Sequence, residues 1–201
     1  ALYGPGPYPT VIQYSGYTPS KPGTPDGADA GGMLAGVLGF AYVGVNVRGS
    51  GCSGGVFDVF NAAQAADGYD AVEWAAQLPY ADGQVGTMGQ SYLGATQYLL
   101  APTRPPHLKA SFPASAPADV HQCWAYHSGG AFELGWQIPY AILMARDTVA
   151  RRGLSQALWP RLERELAPAQ TPWAPPLSPE AYRRLPLMAW AELLEPVAPY
   201  V

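Results

Sequence analysis

Residues 83–94 read Gly83-Gln84-Val85-Gly86-Thr87-Met88-Gly89-Gln90-Ser91-Tyr92-Leu93-Gly94. A β-rich run stops at a glycine, turns through a serine and enters a segment of helix formers. A serine on such a turn takes a strained backbone conformation, so its neighbours along strand and helix must be small or the side chains collide. Gly89 and Gly94 leave that room. The turn lifts the Ser91 hydroxyl out of the sheet surface, and the following helix aims its N-terminal N–H groups at a developing oxyanion, the Tyr92 amide among them. The spacing G-x-S-x-x-G departs from the commoner G-x-S-x-G of a nucleophile elbow, and taken alone it also fits an ordinary strand-to-helix turn.

Working outward, strand-like runs at Thr10–Tyr14, Ala41–Val47, Val85–Met88 and Leu108–Phe112 alternate with helical segments at Ala30–Leu38, Ala62–Leu78 and Tyr92–Leu100. This βαβ order predicts an α/β fold: a mostly parallel sheet with flanking helices. Asn61 is a good N-cap for the second helix, which carries Val72 and Ala75 on one side. The most apolar stretch, Gly31 to Val47, is short for a membrane span and breaks at Phe40, so it reads as a short helix followed by a buried strand. Parallel sheets bind ligands at the carboxyl ends of their strands. That rule gathers Ser91, Arg48 after Val47, and the Ser15-Gly16-Tyr17 loop after Tyr14, where residues 15–29 are rich in Gly, Pro and Asp.

After about Pro117 the strands vanish from the pattern, and tryptophan- and proline-rich helical segments take over at Phe132–Ala150 and Leu154–Ala167. A proline-rich stretch over 168–176 follows, and Ser178-Pro179-Glu180 starts another helix with Ser as cap and Pro in its first turn. We expect two units, 1–117 and 118–201, the second an incomplete helical insertion. The chain opens on Ala1 and closes on Pro199-Tyr200-Val201 with no solvated tail, which suggests a segment cut at both ends.

With 13% charged and 48% hydrophobic residues the chain is globular in composition. A net charge of −4 with scattered basic residues argues against nucleic acid and anionic membrane as partners. Cys52 and Cys123, the only two cysteines, make neither a disulfide framework nor a zinc site. They leave the compartment open, with the cytoplasm favoured, and the oligomeric state, homo-oligomer included, is equally open.

Taken together, Tyr14-Ser-Gly-Tyr17, Val45-Asn-Val-Arg48-Gly-Ser-Gly51 with Ser53-Gly54-Gly55, Asp67-Gly-Tyr-Asp70 with Glu73-Trp74, Val85-Gly to Gly94, and His107-Leu-Lys-Ala110 resemble one family. It is the X-Pro dipeptidyl-peptidase-like, or CocE/NonD, α/β-hydrolases, which include cocaine-esterase-like enzymes and α-amino-acid ester hydrolases. The resemblance implies acyl transfer on an ester or amide of a small molecule, with Ser91 as nucleophile and no cofactor or metal. It implies an oxyanion hole built from the Tyr92 amide and the Tyr17 hydroxyl. It also implies that 118–201 is part of a cap domain whose Trp124 and Trp136, flanking Gly129-Gly130-Ala131, line an acyl pocket.

The triad partners are not evident. α/β-Hydrolases run serine, then acid, then histidine, and the resemblance implies that the last two follow the cap, so we expect both beyond Val201. A triad drawn from Ser91, Asp119 and His121 or His127 is the internal alternative; otherwise these histidines are hydrogen-bonding residues of the cap. Asp67, Asp70 and Glu73 read as a helix face with its loop contacts. The Arg48-Gly-Ser-Gly turn lacks the spacing of a phosphate or dinucleotide loop, which disfavours a nucleotide-binding module and leaves Arg48 a structural role. An X-Pro dipeptidyl peptidase and a catalytically inert piece are the remaining alternatives to an esterase.

Overall fold

The β-rich runs form four strands, β1 (Tyr8–Ser15), β2 (Ala41–Asn46), β3 (Ala81–Gln90) and β4 (Leu108–Ala114). Helices α1 (Ala30–Val37), α2 (Ala62–Ala76) and α3 (Tyr92–Leu100) alternate with them. The structure is a computed structural model that describes residues 6–17, 30–127, 129–153, 156–167 and 176–198. Two compact units divide the chain, Ala1–Ala118 and Asp119–Val201.

In the first unit the sheet order is β2-β1-β3-β4, and every pairing is parallel. The chain steps from β1 outward to β2, then crosses back to lay β3 on the other side of β1. Strand order therefore reverses between β1 and β3, which opens a crevice at their carboxyl ends. Register follows from Thr10 facing Val85 and Ile12 facing Thr87. Ile12 and Val85 are buried in the sheet, and α2 covers it with Val72, Ala75 and Ala76. Asn61 caps α2 as expected, its side chain accepting the Gln64 amide at 3.0 Å.

The strand after Phe40 is not the buried one that its apolar content predicts. Lying at the sheet edge, β2 buries Val43 and leaves Gly44 exposed. Among the described residues β4 forms the opposite edge of this sheet, with Lys109 to Phe112 exposed and Phe112 at 71%.

Buried polar groups tie helices to strand ends. Gln97 on α3 donates its amide nitrogen to Leu93 O at 2.9 Å, Phe112 O at 3.3 Å and Gly89 O at 3.4 Å. Its Oε1 lies 3.0 Å from the Thr87 hydroxyl, and Thr96 donates to Tyr14 O at 2.9 Å. Arg48 has a structural partner: its Nε donates to Asp67 Oδ2 at 2.6 Å, and its Nη2 meets Oδ1. Glu73, on the same helix as Asp67, takes the His107 ring at 2.7 Å and the His107 amide at 3.2 Å.

The second unit packs α4 (Leu134–Arg151), α5 (Trp159–Glu163) and α6 (Met188–Leu194) around Ile138, Ile142, Leu162, Trp190 and Leu194. The expectation of an all-helical segment fails in three places. A short antiparallel pair, β5 (Tyr126–His127) with β6 (Ala131–Phe132), closes over a turn whose Gly129 and Gly130 take φ of 93° and 82°. The helix expected over Leu154–Ala167 shrinks to α5, because Pro160 belongs in a first turn and Leu166 leaves the helix to bridge Leu177. Ser178 does cap, accepting the Ala181 amide at 3.1 Å. Only one 3₁₀ turn, Ala181–Arg183, follows it, since Pro186 excludes helical geometry at Leu185. Residues 18–29 of the predicted loop, Leu154-Ser155, and 168–175 of the proline-rich stretch lie outside the described residues. Among the described residues no helix is long and apolar enough to cross a membrane.

Two outcomes follow from these ties. Gln97→Leu leaves several buried groups unpaired and is expected to lower the unfolding free energy by about 1–3 kcal/mol in chemical denaturation. Desolvation raises the Glu73 carboxyl, but the hydrogen bonds and charge of His107 outweigh it and hold the pKa below the ordinary value. A carboxyl lowered by folding adds stability above its unfolded value, about 4.3, and loses it as the pH falls below that. Stability measured as a function of pH is therefore expected to fall less steeply below about pH 5 in Glu73→Gln than in the parent protein.

Candidate active site

Ser91 sits between the last residue of β3 and the first of α3 with φ 61° and ψ −122°. This left-handed region costs a non-glycine residue about 1–3 kcal/mol, so the surroundings must enforce it. They do so from both sides. The Ser91 amide donates to Ala114 O at 2.9 Å, continuing the β3–β4 ladder, while its carbonyl accepts the Gly94 and Ala95 amides at 2.9 and 3.0 Å to open α3. The two glycines are required by contact. A Cβ on Gly89 would stand 2.4 Å from Leu93 Cβ, and one on Gly94 would stand 2.5 Å from Ala116 Cβ.

Tyr17 comes from the end of the neighbouring strand. The Ser15 hydroxyl accepts the Tyr17 amide at 3.1 Å and lies 3.3 Å from the Tyr17 carbonyl, a local turn that redirects the chain after β1. The Tyr17 hydroxyl then reaches Ser91 Oγ at 3.1 Å across 74 residues of sequence. Tyr17 is 37% exposed, so the pair faces solvent at the switch point.

Tyr92 divides its functions. As the first residue of α3 it places its amide in the turn where N–H groups have no intrahelical acceptor. Its side chain turns inward, fully buried, with the hydroxyl donating to Gln64 Oε1 at 2.9 Å. Around that ring stand Phe60 at 4.7 Å, Tyr17 at 5.7 Å and Phe57 at 6.2 Å between centroids. Phe60 itself holds φ 56°, a second strained residue packed against the same ring. Nearby, Tyr14 donates its hydroxyl to Gln64 O at 3.1 Å. Burial pushes that phenol well above the ordinary tyrosine value; the Asp67 carboxylate adds to the rise and Arg48 opposes it.

The chain has three histidines, of which His107 alone belongs to the first unit. It adjoins the Val85–Leu108 pair at the amino end of β4, roughly 20 Å of strand from Ser91. In the second unit, Asp119 Oδ1 accepts the His121 and Gln122 amides at 2.9 and 3.1 Å. His121 stacks on Tyr126 at 4.6 Å, and His127 pairs with Glu133. These residues have local structural partners. Trp124 and Trp136 share one: their rings approach the buried Tyr140 at 5.7 and 5.5 Å. Among the described residues no three His, Cys, Asp or Glu side chains group as a metal site.

Gln64, Phe57 and Phe60 escape the sequence reading. Asn61-Ala-Ala-Gln64 has the form of a capping box, which would send Gln64 back to its own helix end. Nothing in the pattern announces that it turns to Tyr92 instead.

Comparison with known proteins finds relatives in sequence and in fold. Cocaine esterase of Rhodococcus sp. (strain MB1 Bresler) is 38% identical over 102 residues, 49% of this chain and 18% of that protein. A CocE/NonD family hydrolase from Staphylococcus aureus superposes with a TM-score of 0.61 at 31% identity, over 73% of this chain and 29% of that one. An α-amino-acid ester hydrolase shares the fold, with a TM-score of 0.57 at 23% identity over 81% of this chain and 34% of that one. The matched part is thus under a third of the length of the first two relatives. The family profile of the X-Pro dipeptidyl-peptidases runs along residues 2–191, nearly end to end, and on that ground the chain belongs to the S15 family of α/β-hydrolases.

Proposed function

We propose that the protein containing these residues is a serine hydrolase that cleaves ester or amide bonds of small molecules through an acyl-Ser91 intermediate. The observation that carries this reading is the Tyr17 hydroxyl 3.1 Å from Ser91 Oγ at the sheet's switch point. A hydroxyl on a strained turn, a phenol donor beside it and a helix N-terminus beneath it are the parts that acyl transfer needs.

In this reading Ser91 Oγ attacks the carbonyl carbon and gives its proton to a histidine base. The carbonyl oxygen becomes an oxyanion bound by the Tyr17 hydroxyl and the Tyr92 amide. A phenol can stand in for a second amide because it supplies one directed hydrogen bond where charge develops. Collapse expels the alcohol or amine, which takes the proton back from the histidine, and water then releases the acyl group by the same route. In this reading the base and its acid partner come from outside residues 1–201, which is in keeping with His107 lying far along the sheet from Ser91 and with the local partners of His121 and His127. No cofactor takes part. Trp124 and Trp136 both pack on Tyr140 within the second unit, and an acyl-binding role for them is what the family resemblance implies.

The family assignment favours one further reading: a peptidase cutting after an X-Pro pair uses the same elbow and differs in holding a free amino terminus. Turnover of a dipeptidyl X-Pro anilide but not of simple esters would select it.

A fluorophosphonate probe is expected to label the full-length protein at Ser91 and to leave Ser91→Ala unlabelled; labelling that persists in that variant overturns the proposal. Residues 1–201 by themselves are expected to show little or no turnover. Tyr17→Phe is expected to lower kcat about 10²- to 10³-fold with a much smaller change in KM, as read from steady-state kinetics on an aryl ester.

A further inference from the structure

We infer that Gln64 is a positioning residue for the Tyr17 hydroxyl as oxyanion donor, an assignment that rests on the serine-hydrolase reading above. Every polar group of this fully buried residue is engaged. Its amide donates to Asn61 Oδ1 at 3.0 Å, and its side-chain nitrogen donates to Asp58 O at 2.5 Å. Its side-chain oxygen accepts the Tyr92 hydroxyl at 2.9 Å, and its backbone carbonyl accepts the Tyr14 hydroxyl at 3.1 Å.

The two tyrosines held by Gln64 lie on the two chain segments that carry the donors. Tyr14 precedes the Ser15-Gly16-Tyr17 turn by one residue, and Tyr92 follows Ser91. Within the sheet, ladder hydrogen bonds fix β1 against β3; the last paired positions are Ile12 and Thr87. Beyond them the ladder no longer sets the spacing between Tyr17 and Ser91. Gln64 spans that gap by holding both segments to the first turn of α2.

The direction of each bond is determined by chemistry. The Asp58 carbonyl can only accept, so the Gln64 nitrogen faces it and the oxygen faces Tyr92, which obliges the phenol to donate. A phenol held in this way fixes its ring, and that ring is the surface against which Tyr17 packs at 5.7 Å. Loss of the Gln64 acceptor would free the Tyr92 ring to rotate or to seek water. The Tyr17 hydroxyl would shift with it, and small misplacements of a catalytic donor cost large factors in rate.

The test uses the full-length protein and an aryl ester, each variant assayed below the onset of its own unfolding as followed by circular dichroism. Gln64→Leu is expected to lower kcat about 10- to 100-fold with KM within about twofold. Tyr92→Phe deletes one buried hydroxyl while keeping the ring and the backbone amide, and it is expected to do the same should Gln64→Leu not fold. In a Tyr17→Phe background Gln64→Leu is expected to cost less than about threefold more, because the donor it positions is already gone. Equal losses in both backgrounds, or parental kcat in folded Tyr92→Phe, would overturn the assignment of Gln64. Parental kcat in Tyr17→Phe alone would instead overturn the oxyanion reading beneath it.

Discussion

The parallel pairing of β1 with β3 is the constraint on which the site depends. Tyr17 and Ser91 are 74 residues apart, and neither local turn could bring them together. The crossover from β2 through α2 to β3 does so by returning the chain to the free side of β1. Because the two strands run the same way, their carboxyl ends emerge side by side, and each continues directly into a turn that carries one of the two hydroxyls. Had β3 joined the outer edge of β2, the same turns would have been separated by a strand's width or more.

The conformation at Ser91 shows how such a site is held. A left-handed serine is unfavourable by itself, yet its amide completes the β4 ladder and its carbonyl starts α3. Relaxing the residue would break bonds in both elements, so the sheet and the helix together hold what neither would hold alone. Phe60 repeats the arrangement on a smaller scale, with its own left-handed backbone held against the Tyr92 ring. Two strained residues thus converge on one buried aromatic.

Much of this was legible in the residues. The alternation of strand and helix runs located the four strands and three α-helices described in the first unit to within a few residues, because the period changes sharply at Gly, Pro and Asn. Ser91 announced itself through the glycines its turn requires. Tyr17 did not: a tyrosine in a Gly/Pro-rich loop carries no local signal, and the family resemblance alone singled it out. Gln64 was invisible for a different reason, since Asn61-Ala-Ala-Gln64 already has a sufficient local explanation as a helix start. The second unit is less legible because its helices are interrupted by prolines whose effect depends on neighbours distant in sequence, as the Leu166–Leu177 bridge shows.

The exposed β4 edge has a consequence for how the chain is made. A row of outward backbone donors and acceptors beside a bare phenylalanine ring is a template for any other extended segment that meets it. During synthesis this edge is complete as soon as Ala114 has emerged, well before the helices of the second unit exist. Pro113 within the strand and the charge of Lys109 blunt that template. The nascent chain thus carries some of its own protection against sticking to its neighbours on the polysome.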